Sequence, residues 1–135
     1  MDYEINRLSL EGKNFTDIRG TLIQCLTRNE LKNNNSHIDF GTIYGGSIIK
    51  GKIRGNHYHK NKEEYIIILQ GEVKIYLEDI KTKKLEEIIM LTSDRIKIGK
   101  NIAHAIIGIG NNNIFFSYAT RPFEEDSDTY KYKVL

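Results

Sequence analysis

Residues 51–71 read GKIRGNHYHKNKEEYIIILQG, and the pattern in this stretch decides the predicted fold. His57 and His59 stand two residues apart, so on an extended strand their side chains leave the same face, about 7 Å apart along the backbone. Glu64 follows after a short polar stretch that can turn the chain, and residues 65–69 have the composition of a buried strand. Two imidazoles and a carboxylate that converge from adjacent strands can hold a borderline divalent metal ion.

A third imidazole is available in the segment IGKNIAH, residues 98–104, which ends in His104. Three of the four histidines of the chain lie in these two segments, and this concentration is the strongest functional signal in the sequence. Asn101 suits a left-handed turn position before His104. Less specific interpretations remain open: His57 and His59 could be surface histidines on an exposed strand, and His104 could be a hydrogen-bonded core histidine.

The composition indicates a single soluble domain. A chain of 135 residues can bury a substantial core without disulfide bonds, and we expect residues 1–135 to form one domain. Cys25 has no partner for a disulfide, which favours a reducing compartment. The formal net charge of +2 is spread along the chain, so the sequence does not indicate a nucleic-acid-binding surface. The charged N-terminus does not resemble a signal peptide and no apolar run approaches membrane-spanning length, so we expect a cytoplasmic protein.

The pattern of residue types predicts an all-β protein. β-branched and aromatic residues are plentiful, and Gly and Asn interrupt the chain at short intervals, which is typical of a sandwich or barrel. Residues 73–78 alternate and predict a half-buried strand, followed by a turn at 79–84 and a partner strand at 85–91. Residues 28–36 are polar and Asn-rich and predict a loop. Residues 3–10 predict an edge strand that could reach a partner subunit.

The histidine stretch resembles the first motif of the cupin superfamily, which is Gly, five residues, His-x-His, three or four residues, Glu, six residues, Gly. Five residues meet this motif without adjustment: Gly51, His57, His59, Glu64 and Gly71. The second cupin motif, Gly-x5-Pro-x-Gly-x2-His-x3-Asn, is met only at His104. Its other four positions hold Ser93, Gly99, Asn101 and Gly108. The resemblance implies a double-stranded β-helix, the jelly-roll or cupin barrel, and a homodimer.

Within the cupins, the chain resembles enzymes that act on nucleotide-linked 4-keto sugars. FTDIRG at residues 15–20 and IRGNH at residues 53–57 resemble the signature of dTDP-4-dehydrorhamnose 3,5-epimerases. GNHYHKNKEEY at residues 55–65 and RPFEEDSDTY at residues 121–130 resemble the C-terminal cupin domain of bifunctional capsular polysaccharide enzymes, a metal-bound C3-epimerase domain. The length of the chain also suits the small 3,4-ketoisomerases of the superfamily. Residues 123–128 are acidic, and we expect this tail to be exposed.

These resemblances imply conflicting roles for the histidines. In the rhamnose epimerases the residue that matches His57 is a proton-transfer base without metal, and in the ketoisomerases both histidines of the pair are catalytic groups. Glu64 is present here, as in the metal-bound capsular domain, which favours a divalent metal ion held by His57, His59, Glu64 and His104. Zinc is favoured, with iron, manganese and nickel as alternatives. A histidine that binds a metal through its lone pair cannot also accept a substrate proton, so the two roles exclude each other.

We therefore expect an epimerase or isomerase that acts on a nucleotide-linked 4-keto sugar in surface polysaccharide biosynthesis. The 4-keto group acidifies the hydrogen on C3, and proton transfer through an enediolate can invert C3 or move the carbonyl. The alternatives are a non-catalytic carbohydrate-binding or structural cupin and a metal-dependent dioxygenase. Spacing alone does not choose the acid and the base among six residues: Tyr44, Tyr58, Tyr65, Tyr118, Lys62 and Glu63. The candidate catalytic residues are His57, His59, Tyr44 and Tyr118, and the candidate substrate-binding residues are Arg54, Lys62 and Arg19.

Overall fold

The computed structural model describes residues 1–33, 41–120 and 128–135. Its twelve strands, numbered in chain order, are β1 Tyr3–Arg7, β2 Asn14–Asp17, β3 Gly20–Ile23, β4 Thr42–Ser47, β5 Ile53–Tyr58, β6 Glu64–Gln70, β7 Glu72–Asp79, β8 Leu85–Leu91, β9 Asp94–Ile98, β10 Ile102–Gly108, β11 Ile114–Ala119 and β12 Tyr130–Lys131. Within the described ranges, a 3-10 turn covers Leu8–Glu11 and one short helix, α1, covers Arg28–Asn33.

Two five-stranded antiparallel sheets form the body of the protein. The first sheet has the strand order β1-β9-β6-β11-β4, and the second has the order β12-β5-β10-β7-β8. Most neighbouring strands are far apart in sequence, which is the wrapping expected of a jelly roll. Isoleucines fill the space between the facing sides of the sheets, together with Val73, Leu77 and Met90. The prediction of an all-β cupin barrel is confirmed.

Strands β7 and β8 match the sequence prediction closely. The inward-facing Val73, Ile75 and Leu77 are completely buried, because alternate residues of a strand face opposite sides of the sheet. The Asp79 amide donates to the Lys84 carbonyl (3.0 Å), which closes the predicted turn. β8 then covers the same residues as the predicted partner strand.

A third layer covers the outer face of the first sheet. It contains the 3-10 turn, the β2–β3 hairpin and α1. Leu8 and Leu31 from this layer pack against Tyr65, Ile67 and Tyr118, which point outward from β6 and β11. These residues form an outer apolar cluster, which the sheet itself separates from the barrel interior.

The predicted loop at residues 28–36 is wrong at its start, where α1 spans Arg28–Asn33. Thr27 and Glu30 form a capping box at the beginning of this helix. The Glu30 amide donates to Thr27 Oγ1 (3.2 Å), and the Thr27 amide donates to Glu30 Oε1 (3.0 Å). Residues 34–36 of the predicted loop lie outside the described residues.

The N-terminal strand β1 pairs with β9 of the same chain, with Ile5 opposite Ile96. It ends at Arg7, where the 3-10 turn begins, and so is shorter than the predicted strand. Exchange of this strand between subunits, and the homodimer itself, stay predictions. No helix in the described part of the chain is long and apolar enough to cross a membrane.

Candidate metal centre

The four predicted metal ligands converge between the two sheets. His57 lies in β5 directly opposite His104 in β10, Glu64 begins β6, and His59 follows the end of β5. Each residue offers one ligand atom, and these four atoms all lie within 4.8 Å of one another. His59, Glu64 and His104 are buried, whereas His57 is half-buried. The structure therefore brings together side chains from the two predicted histidine segments.

A β-bulge in β5 places Arg54 on the same face as His57. The pairing of β5 with β10 shifts register next to His104, and Asn56 is left as an extra residue. Gly55 has a φ of 102° and Asn56 a φ of 57°, both in the left-handed region. A Cβ on Gly55 would lie 2.7 Å from the His104 carbonyl oxygen, so only glycine fits there without strain. Because of this bulge, two residues that are three positions apart share the inward face.

Backbone carbonyls orient two of the imidazoles. His59 Nδ1 donates to the Asp128 carbonyl (2.8 Å), and His104 Nδ1 donates to the Ile102 carbonyl (3.2 Å). Since a carbonyl can only accept a hydrogen bond, each Nδ1 carries a proton, and the neutral form of such a ring has its lone pair on Nε2. The two Nε2 atoms lie 3.5 and 3.7 Å from Glu64 Oε2. This arrangement is typical of metal-binding histidines, whose other ring nitrogen donates to a carbonyl or carboxylate.

The two oxygens of Glu64 have different partners. Oε1 accepts hydrogen bonds from the Tyr44 hydroxyl (2.5 Å) and the Ser117 hydroxyl (3.0 Å). Oε2 instead faces the Nε2 atoms of His59 and His104. A carboxylate oxygen and two imidazole lone pairs are all acceptors, so a cation between them would satisfy all three. The donor set therefore fits a divalent cation.

Burial and the interactions within the cluster together set the protonation states of His57, His104 and Glu64. Burial and the neighbouring histidines lower the pKa of His57 to about 4. Burial also lowers the pKa of His104, although the charge of Glu64 opposes this shift. Burial raises the pKa of Glu64, but the interactions with His59, His104 and Tyr44 outweigh it and hold that pKa below its usual range. At neutral pH His57 and His104 are therefore neutral and Glu64 is ionised, which are the forms that bind metal ions.

A pocket of about 180 Å³ lies beside the ligand atoms. Burial and the charge of Glu64 raise the pKa of Tyr44 well above its usual value, so its hydroxyl keeps its proton at neutral pH. Three residues of the histidine–glutamate cluster, a protonated phenol and a guanidinium therefore share one small pocket. The polar part of its lining consists of Tyr44, Arg54, His57, Glu64 and His104, and the remaining wall of Ile48, Gly55, Ile66, Ile106 and Phe115.

Tyr118, the second tyrosine among the candidate catalytic residues, points away from this pocket. Its neighbour Ser117 faces Glu64, and successive strand residues face opposite sides of the sheet. Tyr118 therefore packs with Tyr65 and Ile67 in the outer apolar cluster. Tyr118 therefore lies outside the pocket that contains Tyr44, and a catalytic role for it stays a prediction.

The three candidate substrate-binding residues occupy different places. Arg54 lines the pocket. Lys62 is buried near the cluster, where its charge adds to the burial and the histidine charges that lower the pKa of His57. Arg19 lies in the exposed turn of the β2–β3 hairpin and pairs with Asp17 (2.5 Å). The structure thus brings Arg54 and Lys62 close to the cluster, but not Arg19.

The sequence does not predict two residues of the site, Ser117 and Asp128. Ser117 binds Glu64 from 53 positions away, and Asp128 binds His59 from 69 positions away. A local sequence motif cannot indicate contacts between residues that are more than 50 positions apart. Asp128 belongs to the tail that is predicted to be exposed, but it is buried. The rest of that tail, residues 123–127, lies outside the described residues.

The jelly-roll barrel and its histidine–glutamate cluster define a protein with the cupin fold. The family described as the polysaccharide biosynthesis C-terminal domain matches residues 15–130, which is most of the chain. The chain therefore belongs to this family. No curated protein sequence matches the chain.

Solved structures with the same fold include three proteins of sugar metabolism or capsule assembly. The QdtA sugar 3,4-ketoisomerase from Thermoanaerobacterium thermosaccharolyticum, in complex with TDP, is 20% identical over 96% of this chain and 88% of that chain, with a TM-score of 0.77. The dTDP-6-deoxy-D-glucose-3,5-epimerase RmlC from Legionella pneumophila is 18% identical over 96% of this chain and 71% of that chain, with a TM-score of 0.78. The capsular polysaccharide assembling protein CapF from Staphylococcus aureus is 21% identical over 71% of this chain and 29% of that chain, with a TM-score of 0.67. At these identities the likeness shows the fold.

Proposed function

We propose that the protein is an epimerase or isomerase that acts on a nucleotide-linked 4-keto sugar in surface polysaccharide biosynthesis. The observation that carries this proposal is the pocket in which three members of the histidine–glutamate cluster, His57, Glu64 and His104, meet Tyr44 and Arg54. The family description names polysaccharide biosynthesis, and this supports the proposed role in making a surface polysaccharide. A nucleotide-sugar substrate is supported by a structural neighbour that binds TDP and by another that binds dTDP-4-keto-L-rhamnose.

The cation site is the first part of this proposal. His57, His59, Glu64 and His104 would hold one divalent cation, and three nitrogens with one carboxylate oxygen favour zinc. When bound, the cation supplies a Lewis acid that polarises a carbonyl. The chain itself contributes the orientation of the ligands, since backbone carbonyls aim His59 and His104 at Glu64.

Proton transfer at C3 is the chemical step that we assign to the pocket. Transfer of the C3 proton, next to a 4-keto group, to a water molecule or a basic side chain at the pocket leaves an enediolate. Return of a proton to the opposite face inverts C3, whereas delivery to a different atom moves the carbonyl. Tyr44 keeps its hydroxyl proton at neutral pH and lines the pocket, so we assign the return of the proton to Tyr44.

His57 has two candidate roles that exclude each other. Unlike His59 and His104, it has no hydrogen bond from its ring nitrogens to any residue in the described ranges. We assign His57 to the cation, because its ring centroid lies 4.7 Å from that of His104 and 5.0 Å from that of His59. A proton-transfer role would instead leave the cation with His59, Glu64 and His104.

Arg54 is the residue that we assign to the diphosphate of the substrate. Its Nε donates to the Ser47 carbonyl (2.8 Å), which holds the guanidinium at the pocket wall. A planar guanidinium matches phosphate oxygens through paired hydrogen bonds. Lys62 stays a second candidate near the cluster. Arg19 is the weakest of the three, because it pairs with Asp17 in an exposed turn.

Exchange of solvent deuterium into C3 tests the proposal. The zinc-loaded protein is incubated in deuterium oxide with TDP-4-keto-6-deoxyglucose, the sugar nucleotide bound by one structural neighbour, and the C3 proton is followed by NMR. We expect the C3 signal to disappear with the loaded protein and to persist much longer after chelation. Absence of exchange across a panel of 4-keto nucleotide sugars would contradict the proposal.

A metal-dependent dioxygenase is the second candidate, because three histidines and a glutamate also suit iron or manganese. Oxygen consumption that depends on added ferrous iron would favour this function. A protein that keeps its metal, binds glycan and shows neither activity would be a non-catalytic carbohydrate-binding or structural cupin.

We further propose that residues 1–135 form one domain and that the protein is a homodimer.

A further inference from the structure

Asp128 contacts both a metal-binding histidine and the loop that leads from it to the next ligand. Its carboxylate accepts hydrogen bonds from three consecutive backbone amides: Lys60 (2.9 Å), Asn61 (2.6 Å) and Lys62 (3.2 Å). Its main-chain carbonyl accepts the hydrogen bond from His59 Nδ1 (2.8 Å). Asp128 itself is buried, with a relative exposure of 5%.

These contacts hold the loop that connects His59 to Glu64, two of the proposed metal ligands. Residues 60–63 separate His59 from Glu64, so the conformation of this loop sets how the two side chains approach each other. Three amides that converge on one carboxylate make a compact turn, and a buried amide without an acceptor is costly. Because one residue holds both the turn and the ring of His59, a displacement of Asp128 would move them together.

We propose that Asp128 is a positioning residue for the cation site, which fixes His59 as the Nδ1–H tautomer with Nε2 aimed at Glu64 Oε2. This proposal rests on the cation site proposed above and adds no new ligand. Without the carboxylate, the amides of residues 60–62 lose their acceptor, and the Asp128 carbonyl loses its fixed place. His59 then samples both tautomers and other ring orientations, and the site binds its cation more weakly.

Zinc affinity, measured by competition with a chromophoric chelator, tests this role. We expect Asp128→Ala to weaken zinc binding by about tenfold or more, as is typical when the partner of a metal-binding histidine is disturbed. Asp128→Asn keeps one oxygen as an acceptor for the loop amides, so we expect a smaller loss. Recovery in this conservative variant separates positioning from a general loss of the side chain.

Asp94→Ala is the matched control. Asp94 is about equally buried, at 6% exposure, and also accepts a backbone hydrogen bond, from the Leu91 amide (2.8 Å). It begins β9, whereas the residue opposite Glu64 is Ile98, at the other end of β9. We expect Asp94→Ala to lower the melting temperature but to keep zinc affinity within about twofold of wild type, because distant sites act independently.

Imidazole nitrogen NMR spectra of the metal-free proteins report the tautomer directly. We expect His59 to be protonated at Nδ1 in wild type and in Asp94→Ala, and to be a mixture of tautomers in Asp128→Ala. Equal zinc affinity for the two alanine variants, or an unchanged tautomer, would overturn the proposal. If Asp128→Ala does not fold, Asp128→Asn is compared with Asp94→Ala instead; the proposal then expects a smaller but measurable loss of zinc affinity in Asp128→Asn, and no loss at all would overturn it. If wild type binds no zinc, the cation site itself is wrong, whereas the tautomer comparison still decides the role of Asp128.

Discussion

At the level of single residues, Glu64 connects the two buried histidines of the proposed cation site to the pocket that contains Tyr44. Its Oε2 faces two histidines, whereas its Oε1 accepts hydrogen bonds from Tyr44 and Ser117. A carboxylate held at one oxygen by two hydroxyls presents the other oxygen in a fixed direction, so these hydroxyls would support the proposed cation site without contacting the cation. Tyr44 also lines the pocket, and the proposed function gives it a second contribution, the transfer of a proton.

Tyr44→Phe should separate these two contributions. The variant keeps the ring but loses the hydroxyl proton, so we expect the rate of C3 exchange to fall by about 10²–10⁴-fold. Zinc binding should weaken by less than about tenfold, because Ser117 still holds Glu64 Oε1. Tyr118→Phe is the matched control, since Tyr118 packs in the outer apolar cluster, and it should exchange at the wild-type rate. Equal rates in the two variants would contradict the role of Tyr44.

His57→Ala should lose the bound zinc, whereas Arg54→Ala should lose affinity for the nucleotide. His57→Ala removes an imidazole from the cluster, and we expect purified protein to contain much less zinc by elemental analysis. Arg54→Ala removes a guanidinium from the pocket wall, so we expect TDP binding to weaken by about tenfold or more in calorimetry while zinc content is unchanged. If His57→Ala keeps its full zinc content and loses only C3 exchange, His57 is the proton-transfer base.

The residues of the histidine–glutamate cluster can be predicted from the sequence better than the residues that support them. His57, His59 and Glu64 lie in one local motif, whose spacing reflects the geometry of a strand followed by a turn. Ser117 and Asp128 reach the site from distant parts of the chain, and their identity depends on which strands become neighbours. No spacing rule in the sequence describes such contacts.

At the level of secondary-structure elements, the bulge in β5 determines which side chains share the pocket. Regular alternation would place Arg54 and His57 on opposite faces, because they are three residues apart. The extra residue Asn56 and the left-handed Gly55 return both side chains to the inward face. The bulge therefore places Arg54, the proposed phosphate-binding residue, in the same pocket as the histidine–glutamate cluster.

Gly55→Ala should disrupt this bulge, because its φ is 102° and the added Cβ would lie 2.7 Å from the His104 carbonyl oxygen. We expect the free energy of unfolding, measured by urea denaturation, to fall by about 1–3 kcal/mol. Gly45→Ala is the control, since its Cβ would lie at an ordinary contact distance of 3.5 Å from the Phe115 carbonyl oxygen. Similar stabilities for the two variants would show that β5 tolerates a side chain at this position.

Strand β7 and helix α1 show why the sequence predicts some elements and not others. β7 alternates between inward and outward residues over eight positions, so its period is visible. α1 has only six residues, which is too short for a helical period, and its polar residues are also typical of loops. The signal that the sequence does carry is Thr27 followed three residues later by Glu30, the pattern of a capping box.

At the level of the whole molecule, titratable ligands between the two sheets make stability depend on pH. The pKa of His57 is lowered to about 4 in the folded protein, against an ordinary value of 6.5. Between these values the unfolded chain binds more protons than the folded protein, so the free energy of unfolding falls as the pH falls. The pKa of His104 is lowered in the same direction. The lowered pKa of Glu64 adds a further loss of stability at more acidic pH.

The metal-free protein should therefore lose thermal stability as the pH falls from 6.5 towards 4. We expect the melting temperature of wild type, measured by calorimetry, to decrease across this window. His57→Asn should show a shallower decrease, because the variant lacks one group whose pKa is lowered by folding. A melting temperature that is the same at both ends of the window would contradict the protonation states assigned to the cluster.

Zinc should change this pH dependence in a way that only a metal bound to the histidines explains. A ligand that binds the folded state alone stabilises it by about 2.7 kcal/mol when its free concentration is about one hundred times the Kd. At neutral pH we therefore expect zinc to raise the melting temperature of wild type but to have much less effect on His57→Asn. As the pH falls, protons compete for the same lone pairs, so the increase caused by zinc should shrink. An increase of equal size at neutral and acidic pH would place the zinc on other groups.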